Sequence, residues 1–211
     1  MSYSFILLDL DGTISDPIEG IWRSFNFALE HFGYEGIERT DISKYIGPPL
    51  DETFIKLANT SDPDHIHELV AKYRERFSRK GYKENKLYPG IQETLETLKH
   101  HNIQLGICTS KREDFAIKIL KMFDLYELFT LVSGGDVGVK KVQQIKKLLA
   151  SNLIHPDTIM VGDRAVDLLS AHQNQIKSAG VLWGYGSREE LESQNPEFLF
   201  KKPEDLLLLV R

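Results

Sequence analysis

The sequence predicts an α/β fold: a doubly wound, mostly parallel, Rossmann-like sheet with a helical segment inserted after its first strand. Three observations predict it. Short apolar runs, of the kind a parallel sheet buries on both faces, alternate with stretches whose apolar residues recur every three or four positions. Two of the runs end in acidic turns containing glycine, and the carboxyl ends of the strands are where open α/β sheets bind ligands. Between about Pro17 and Tyr88 the alternation stops and only helical patterns remain.

The elements follow in order. Phe5-Ile6-Leu7-Leu8 is the first strand, closed by Asp9-Leu10-Asp11-Gly12-Thr13. The insertion shows helical spacing over Ile18 to Phe32, Leu50 to Leu57 and Ile66 to Phe77, punctuated at Gly33, Gly47-Pro48-Pro49 and Pro63, with no strand pattern. The core is therefore expected to comprise residues 1–16 and 85–211 and the insertion residues 17–84, with the two crossings as natural hinges for a lid. Strands are expected at Ile103 to Cys108, Leu131-Val132, Thr158 to Val161 and Ser178 to Leu182. Helices are expected at Ile91 to His101, Glu113 to Phe123, Val142 to Ser151 and Ala165 to Gln173, with Gly134 to Gly138 as a flexible stretch. The tail from Pro203 to Arg211 reads as a last amphipathic helix with its leucines in the core.

Composition excludes several classes of function. The chain has 211 residues, 41% hydrophobic and 27% charged, which suits one globular domain or one domain carrying an insertion. A net charge of −5 offers no positive field, so nucleic acid is not expected as a partner. The longest aliphatic run, Leu206 to Val210, is five residues, against the roughly 20 that cross a bilayer, so no membrane span is expected. Met1-Ser2-Tyr3-Ser4 has no basic region, and Asp9 comes too early for a secretory signal, so the expected location is cytoplasmic. The single cysteine, Cys108, sits in an apolar run and reads as a buried, inert thiol.

Four short motifs carry chemistry. Asp9 and Asp11, two apart on extended backbone, can point to one side, and like charges about 4 Å apart repel by about 4 kcal/mol at an effective dielectric of 20. The pair asks for a metal or a proton, although an acidic turn bent at Gly12 would read the same. Asp163 and Asp167 stack on one face of a first helical turn, where Asp163 alone could also be a cap. Both pairs end strands of one sheet and can converge on one hard cation with oxygen ligands, for which Mg²⁺ is the natural choice. Thr109-Ser110-Lys111 ends a third strand before a helix, where hydroxyl and orphan amides suit an anion, as they also suit an ordinary cap. Lys140-Lys141 precedes the next helix and could supply a cation to offset the carboxylates and a phosphate, or simply begin a solvated helix.

Taken in order, Asp-x-Asp-Gly-Thr, Thr-Ser, lysine and Gly-Asp-x-x-x-Asp resemble the haloacid dehalogenase-like superfamily of hydrolases over the whole chain, and the insertion resembles its small helical cap. Gly20-Ile21, Tyr45 to Leu50, Gly162-Asp163-Arg164 and Trp183-Gly184-Tyr185-Gly186 are similar to the phosphoglycolate phosphatase-like branch. The resemblance implies a Mg²⁺-dependent phosphatase acting on a small phosphorylated metabolite. Within it, Asp9 is the nucleophile that becomes an aspartyl phosphate, and Asp11 is the general acid and then base. Thr109 and the Ser110 amide hold phosphate oxygens, and the lysine neutralises charge on the transferring group. Asp9, Asp11 (through its backbone carbonyl), Asp163 and Asp167 make the metal site. Gly12, Gly47 and Pro48 line the phosphate and substrate, the last two in a loop that resembles the one closing over it. Neither lysine precedes the proline often found in the family, and the apolar positions at Ile145 and Leu149 favour Lys141 over Lys140. Arg23, Lys44 and Arg112 are candidates for a substrate carboxylate or second phosphate, and each also reads as a plain surface charge. A phosphosugar mutase on the same scaffold is the nearest alternative, and a non-catalytic phospho-acceptor module is a remote one.

Overall fold

The computed structural model describes residues 3–136 and 138–210. In chain order its elements are β1 (Phe5–Leu8), β2 (Ser15–Asp16), α1 (Ile18–His31), α2 (Leu50–Ala58), α3 (Pro63–Arg79), β3 (Lys86–Leu87), α4 (Ile91–His100), β4 (Gln104–Arg112), α5 (Glu113–Met122), β5 (Leu131–Gly135), α6 (Lys141–Ala150), β6 (Ile159–Gly162), α7 (Ala165–Gln173), β7 (Lys177–Val181), α8 (Arg188–Glu192) and β8 (Phe198–Phe200). Short 3-10 turns lie at Ile42–Tyr45, Gly81–Glu84 and Tyr126–Leu128, and a longer one closes the chain at Pro203–Val210.

Six strands form one sheet in the order β5-β4-β1-β6-β7-β8, and every neighbouring pair runs parallel. Numbered among themselves, these strands run 3-2-1-4-5-6, the Rossmann order, whose crevice opens where the order reverses. That point lies between β1 and β6, where Leu8 registers with Val161. Every residue of β1 is buried, which is why its sequence is uninterrupted apolar rather than alternating. Phe5 and Leu7 pack in a cluster with Cys108, Ile145, Leu148, Met160 and Ala171, joining β1, β4 and β6 to α6 and α7.

Four features depart from the sequence expectations. The two-residue strands β2 and β3, the three-residue strand β8 and the five-residue helix α8 have no counterpart in the sequence expectations, because none is long enough to show a period. Gly134 and Gly135 end strand β5 instead of opening a flexible stretch. The backbone of Glu113 passes 2.3 Å from where a Cβ on Gly134 would sit, so glycine serves close packing there. Val137, within that stretch, lies outside the described residues. The closing segment is a 3-10 helix rather than an α-helix; Leu206 and Leu209 are buried as expected, but Leu208 is exposed. Finally, β4 continues through Arg112 with a register shift against β5 between Cys108 and Arg112.

The chain divides into two compact units. One runs up to Asp16 and resumes at Leu87; the other is Pro17–Lys86. Within the second, α1, α2 and α3 close on aromatic rings. Phe25 meets Phe54 with centroids 5.1 Å apart and Tyr73 at 4.8 Å, and Tyr73 stacks on Phe77 at 5.5 Å. Asp62 caps α3 by accepting from the Asp64 amide at 3.1 Å, with Pro63 opening the helix. Arg76 grips Glu84 through two hydrogen bonds of 2.9 and 3.0 Å, tying α3 to the turn after it. Phe54 has no exposed surface, so Phe54→Ala is expected to cost about 3–5 kcal/mol in chemical denaturation through the cavity it leaves.

Candidate active site

Strand order delivers the carboxylates. The Asp9 amide continues the β1–β6 ladder by donating to the Val161 carbonyl at 2.9 Å, so the ends of the two strands stay side by side. Asp163 follows β6, and Asp167 sits in the first turn of α7, four residues on and therefore on the same face. Carboxylate oxygens of Asp9, Asp163 and Asp167 lie within 4.8 Å of one another, and all three residues are buried. Gly12, at φ +83°, makes room: a Cβ there would fall 2.1 Å from Asp163 Oδ2.

Lys141, the first residue of α6, enters this cluster. Its ammonium stands 3.0 Å from Asp9 Oδ2 and also bonds Asp167 Oδ1. Only 2% of Lys141 is exposed, whereas Lys140 faces solvent. Burial alone would lower the Lys141 pKa, but Asp167 and Asp9 outweigh it and hold the ammonium well above the usual lysine range. The carboxylates feel the opposite pressure. Burial, reinforced by Asp167 and Asp9, pushes Asp163 well above the usual carboxylate range. Burial also raises Asp167 to about 6, with Lys141 holding it back.

Each carboxylate has distinct supports. Asp9 Oδ1 accepts from the Leu10 amide at 2.7 Å. Asp163 Oδ2 accepts from the Tyr185 amide at 2.8 Å. Asp167 has a partner on each oxygen, Lys141 Nζ on one and the Arg164 amide, at 3.0 Å, on the other. Asp167 and Glu190, whose Oε1 accepts from the Ala165 amide at 2.8 Å, thus supply side-chain hydrogen bonds at the start of α7 in place of Asp163. Asp11 pairs with Lys111 Nζ at 2.7 Å, while its Oδ1 is buried with no hydrogen-bond partner. Burial raises the Asp11 pKa against the pull of Lys111.

Contrary to the sequence expectation, Thr109 and Ser110 do not stand at a helix N-terminus, because β4 runs through Arg112 and α5 begins at Glu113. The continued pairing with β5 keeps this segment extended. Thr109 is buried, its hydroxyl accepts from the Lys111 amide at 3.2 Å, and its carbonyl accepts from Gln144 Nε2 at 3.2 Å. Gly47 and Pro48 lie in the helical unit between the Ile42–Tyr45 turn and α2, with Gly47 at φ +108°. Arg23 pairs with Glu19 and Glu84, Lys44 with Asp41, and Arg112 with Asp114. Cys108 is buried, and burial pushes its thiol up to about 12. Sequence reasoning missed Lys111 as a partner of Asp11 and Tyr185 as a partner of Asp163; the only signal for the second was the Trp-Gly-Tyr-Gly run.

The family profile of haloacid dehalogenase-like hydrolases matches residues 6–181. The chain belongs to this family. A 5'-nucleotidase of Pseudomonas aeruginosa is 38% identical over 200 residues, covering 93% of this chain and 90% of that one. Pyrophosphatase PpaX of Halalkalibacterium halodurans is 32% identical over 215 residues, covering 100% and 98%. The crystal structure of a predicted phosphatase from Clostridium acetobutylicum superposes with a TM-score of 0.91 at 33% identity, covering 98% and 97%.

In this haloacid dehalogenase-like hydrolase the donor set fits a hard cation. It is made of oxygens alone, gathered by three buried carboxylates around which Lys141 supplies one positive charge, and no sulfur or imidazole joins it among the described residues. No helix among the described residues is long and apolar enough to cross a membrane. Removing one partner from a buried ionic cluster leaves uncompensated charge. Lys141→Ala is therefore expected to destabilise the metal-free protein by about 3–5 kcal/mol, and Lys140→Ala by less than about 0.5 kcal/mol. Urea denaturation of both variants in chelator checks this.

Proposed function

We propose that this hydrolase is a Mg²⁺-dependent phosphatase of small phosphorylated metabolites, working through an aspartyl phosphate on Asp9. The observation that carries the reading is the buried Asp9–Lys141–Asp167 arrangement at the switch point of the sheet, with Asp163 beside it. The relatives named as a 5'-nucleotidase and a pyrophosphatase support a phosphate-bearing substrate.

In this reading Asp9, Asp163 and the Asp11 backbone carbonyl hold Mg²⁺, which when bound supplies positive charge beside the phosphoryl oxygens. The chain's own groups do the rest. An Asp9 carboxylate oxygen attacks phosphorus, the bond from phosphorus to the alkoxy oxygen breaks, and Asp11 gives that oxygen its proton. Asp11, now ionised, takes a proton from water as the water oxygen attacks phosphorus, and the Asp9 carboxylate leaves with inorganic phosphate released. One carboxyl can serve twice because each half-reaction returns it in the state the other needs. The raised pKa of Asp11 suits the first half. Lys141 offsets charge on the transferring group, Asp167 orients Lys141, and Thr109 with the Ser110 amide receives phosphate oxygens. Gly12 leaves the backbone room to approach the phosphate.

Phosphate release from a panel of nucleoside monophosphates, phosphoglycolate, sugar phosphates and pyrophosphate is expected to require Mg²⁺. Asp9→Asn keeps the shape but loses the nucleophilic charge, and is expected to lower kcat by roughly 10⁴-fold or more. Release from no member of the panel would overturn the reading.

The pH dependence of metal binding has a definite sign. Asp163 and Asp167 hold protons more tightly in the folded protein than in the unfolded chain, and a bound divalent cation favours their ionised forms. Metal binding therefore releases protons. The rise in Tm on adding Mg²⁺ is expected to be small at pH 5 and to grow as the pH passes through about 6, the value to which Asp167 is raised. Thermal unfolding at several pH values, with Mg²⁺ and with chelator, checks this.

A further inference from the structure

The segment Trp183–Gly186, which follows β7, is pressed against Asp163. The Tyr185 amide donates to Asp163 Oδ2 at 2.8 Å, and the Gly186 amide donates to the Asp163 carbonyl at 3.1 Å. A Cβ on Gly184 would lie 2.3 Å from Asp163 Cβ and 2.4 Å from the Gly12 carbonyl, and one on Gly186 would lie 2.0 Å from the Asp163 carbonyl. Backbone can come this close only where both positions are glycine. The two side chains between these contacts reach the other way, into the loop that begins with Asp9. Trp183 Nε1 donates to the Thr13 carbonyl at 3.0 Å, and the Tyr185 hydroxyl donates to Asp16 Oδ1. Tyr88 ties the same loop through its own amide, which donates to the Ile14 carbonyl at 3.2 Å.

From these contacts we infer that Tyr185 is a positioning residue for the metal site, fixing the Asp163 carboxylate relative to the Asp9–Thr13 loop by anchoring its own backbone amide through Asp16. The two loops come from strands β1 and β7, which are not neighbours in the sheet, so no ladder hydrogen bond sets their separation. The side chains of Trp183 and Tyr185 bridge it, beside the Gly184–Gly12 contact and a longer direct bond in which the Thr13 hydroxyl donates to Asp163 Oδ1 at 3.4 Å. A ligand carboxylate is held in orientation by what hydrogen-bonds its other oxygen, and loosening that support weakens metal binding even though every ligand is still present. The inference rests on the Mg²⁺ reading of the cluster given above.

The test is isothermal titration of Mg²⁺ into the folded, substrate-free protein, for wild type, Tyr185→Phe, Asp16→Ala and the double variant. Tyr185→Phe keeps the ring and the amide and removes only the hydroxyl. It is expected to raise the Mg²⁺ Kd about tenfold, the usual scale for losing a group that orients a metal ligand. KM for a phosphomonoester at saturating Mg²⁺ is expected to stay within about twofold, because the hydroxyl touches no substrate-binding group. Asp16→Ala is expected to weaken Mg²⁺ as much as Tyr185→Phe, and the double variant no more than either, since both singles break the same Tyr185–Asp16 hydrogen bond. A merely structural role would instead lower Tm with Mg²⁺ affinity intact, as Phe54→Ala in the helical unit is expected to do. If Tyr185→Phe does not fold, Trp183→Phe, which removes the Nε1 donor to Thr13, carries the same expectation. An unchanged Mg²⁺ Kd in the folded variant, or additive losses in the double variant, overturns the role of Tyr185. Wild-type protein that binds no Mg²⁺ overturns the metal reading and this inference with it.

Discussion

Three carboxylates gathered so that their oxygens lie within 4.8 Å of one another, all buried, would be intolerable as three bare charges. Lys141 is what makes the cluster possible. Each like-charge pair at about 4 Å costs about 4 kcal/mol at an effective dielectric of 20, and the single ammonium touches two of the three members. One positive charge against three negative ones still leaves a deficit. Burial, reinforced by the neighbouring carboxylates, makes Asp163 and Asp167 harder to ionise. A divalent cation would remove that resistance, so electrostatic strain and metal affinity are two descriptions of one arrangement.

The rest of the fold can be understood as what brings those groups together. A parallel sheet that reverses its order between β1 and β6 sets two strand ends next to each other with no strand crossing above them. Asp9 and Asp163 occupy those ends. Lys141 must come from elsewhere, and α6, packed through Ile145 and Leu148 against β1 and β6 residues, brings its first residue to the same place. Gln144, one turn further along α6, bonds the Thr109 carbonyl and so ties β4 to the helix that carries the lysine. Glycine appears wherever two of these pieces meet too closely for a side chain, as at Gly12.

Much of this was legible because the signals are local. The apolar runs of β1, β4, β6 and β7 and the helical spacing of α1 to α7 are properties of stretches of four to seventeen residues, and a buried sheet or an amphipathic helix imposes them directly. The acidic pairs stood out because strand ends and helix starts frame them. The choice of Lys141 over Lys140 came from helical spacing alone, and the structure buries Lys141 between Asp9 and Asp167. Short elements such as α8 and β8 left too little pattern, and β8 gains its strand character from pairing with β7. The Thr109-Ser110-Lys111 segment misled because a hydroxyl before a helical run looks like a cap, whereas pairing with β5 carries the strand past it. No local signal could reveal that Lys111 meets Asp11 a hundred residues away, or that Tyr185 reaches Asp16.

The contrast between Asp9 and Asp11 shows how one short motif can hold two kinds of carboxyl. Asp9 has a donor on each oxygen, the Leu10 amide and the Lys141 ammonium, and the two together fix its carboxylate in direction. Asp11 has one oxygen on Lys111 and the other buried without a partner. A buried acceptor left unpaired costs about 1–3 kcal/mol, a cost that protonation, rotation or a ligand's own donor would relieve. Burial raises its pKa while Lys111 pulls the other way. Whatever draws Lys111 away therefore makes Asp11 easier to protonate. A carboxylate held in direction beside a carboxyl that can take and return a proton is what the two-step hydrolysis proposed above requires. Two residues of spacing suffice because the difference lies in the partners that the β1, β4 and α6 termini supply, and not in the carboxylates themselves.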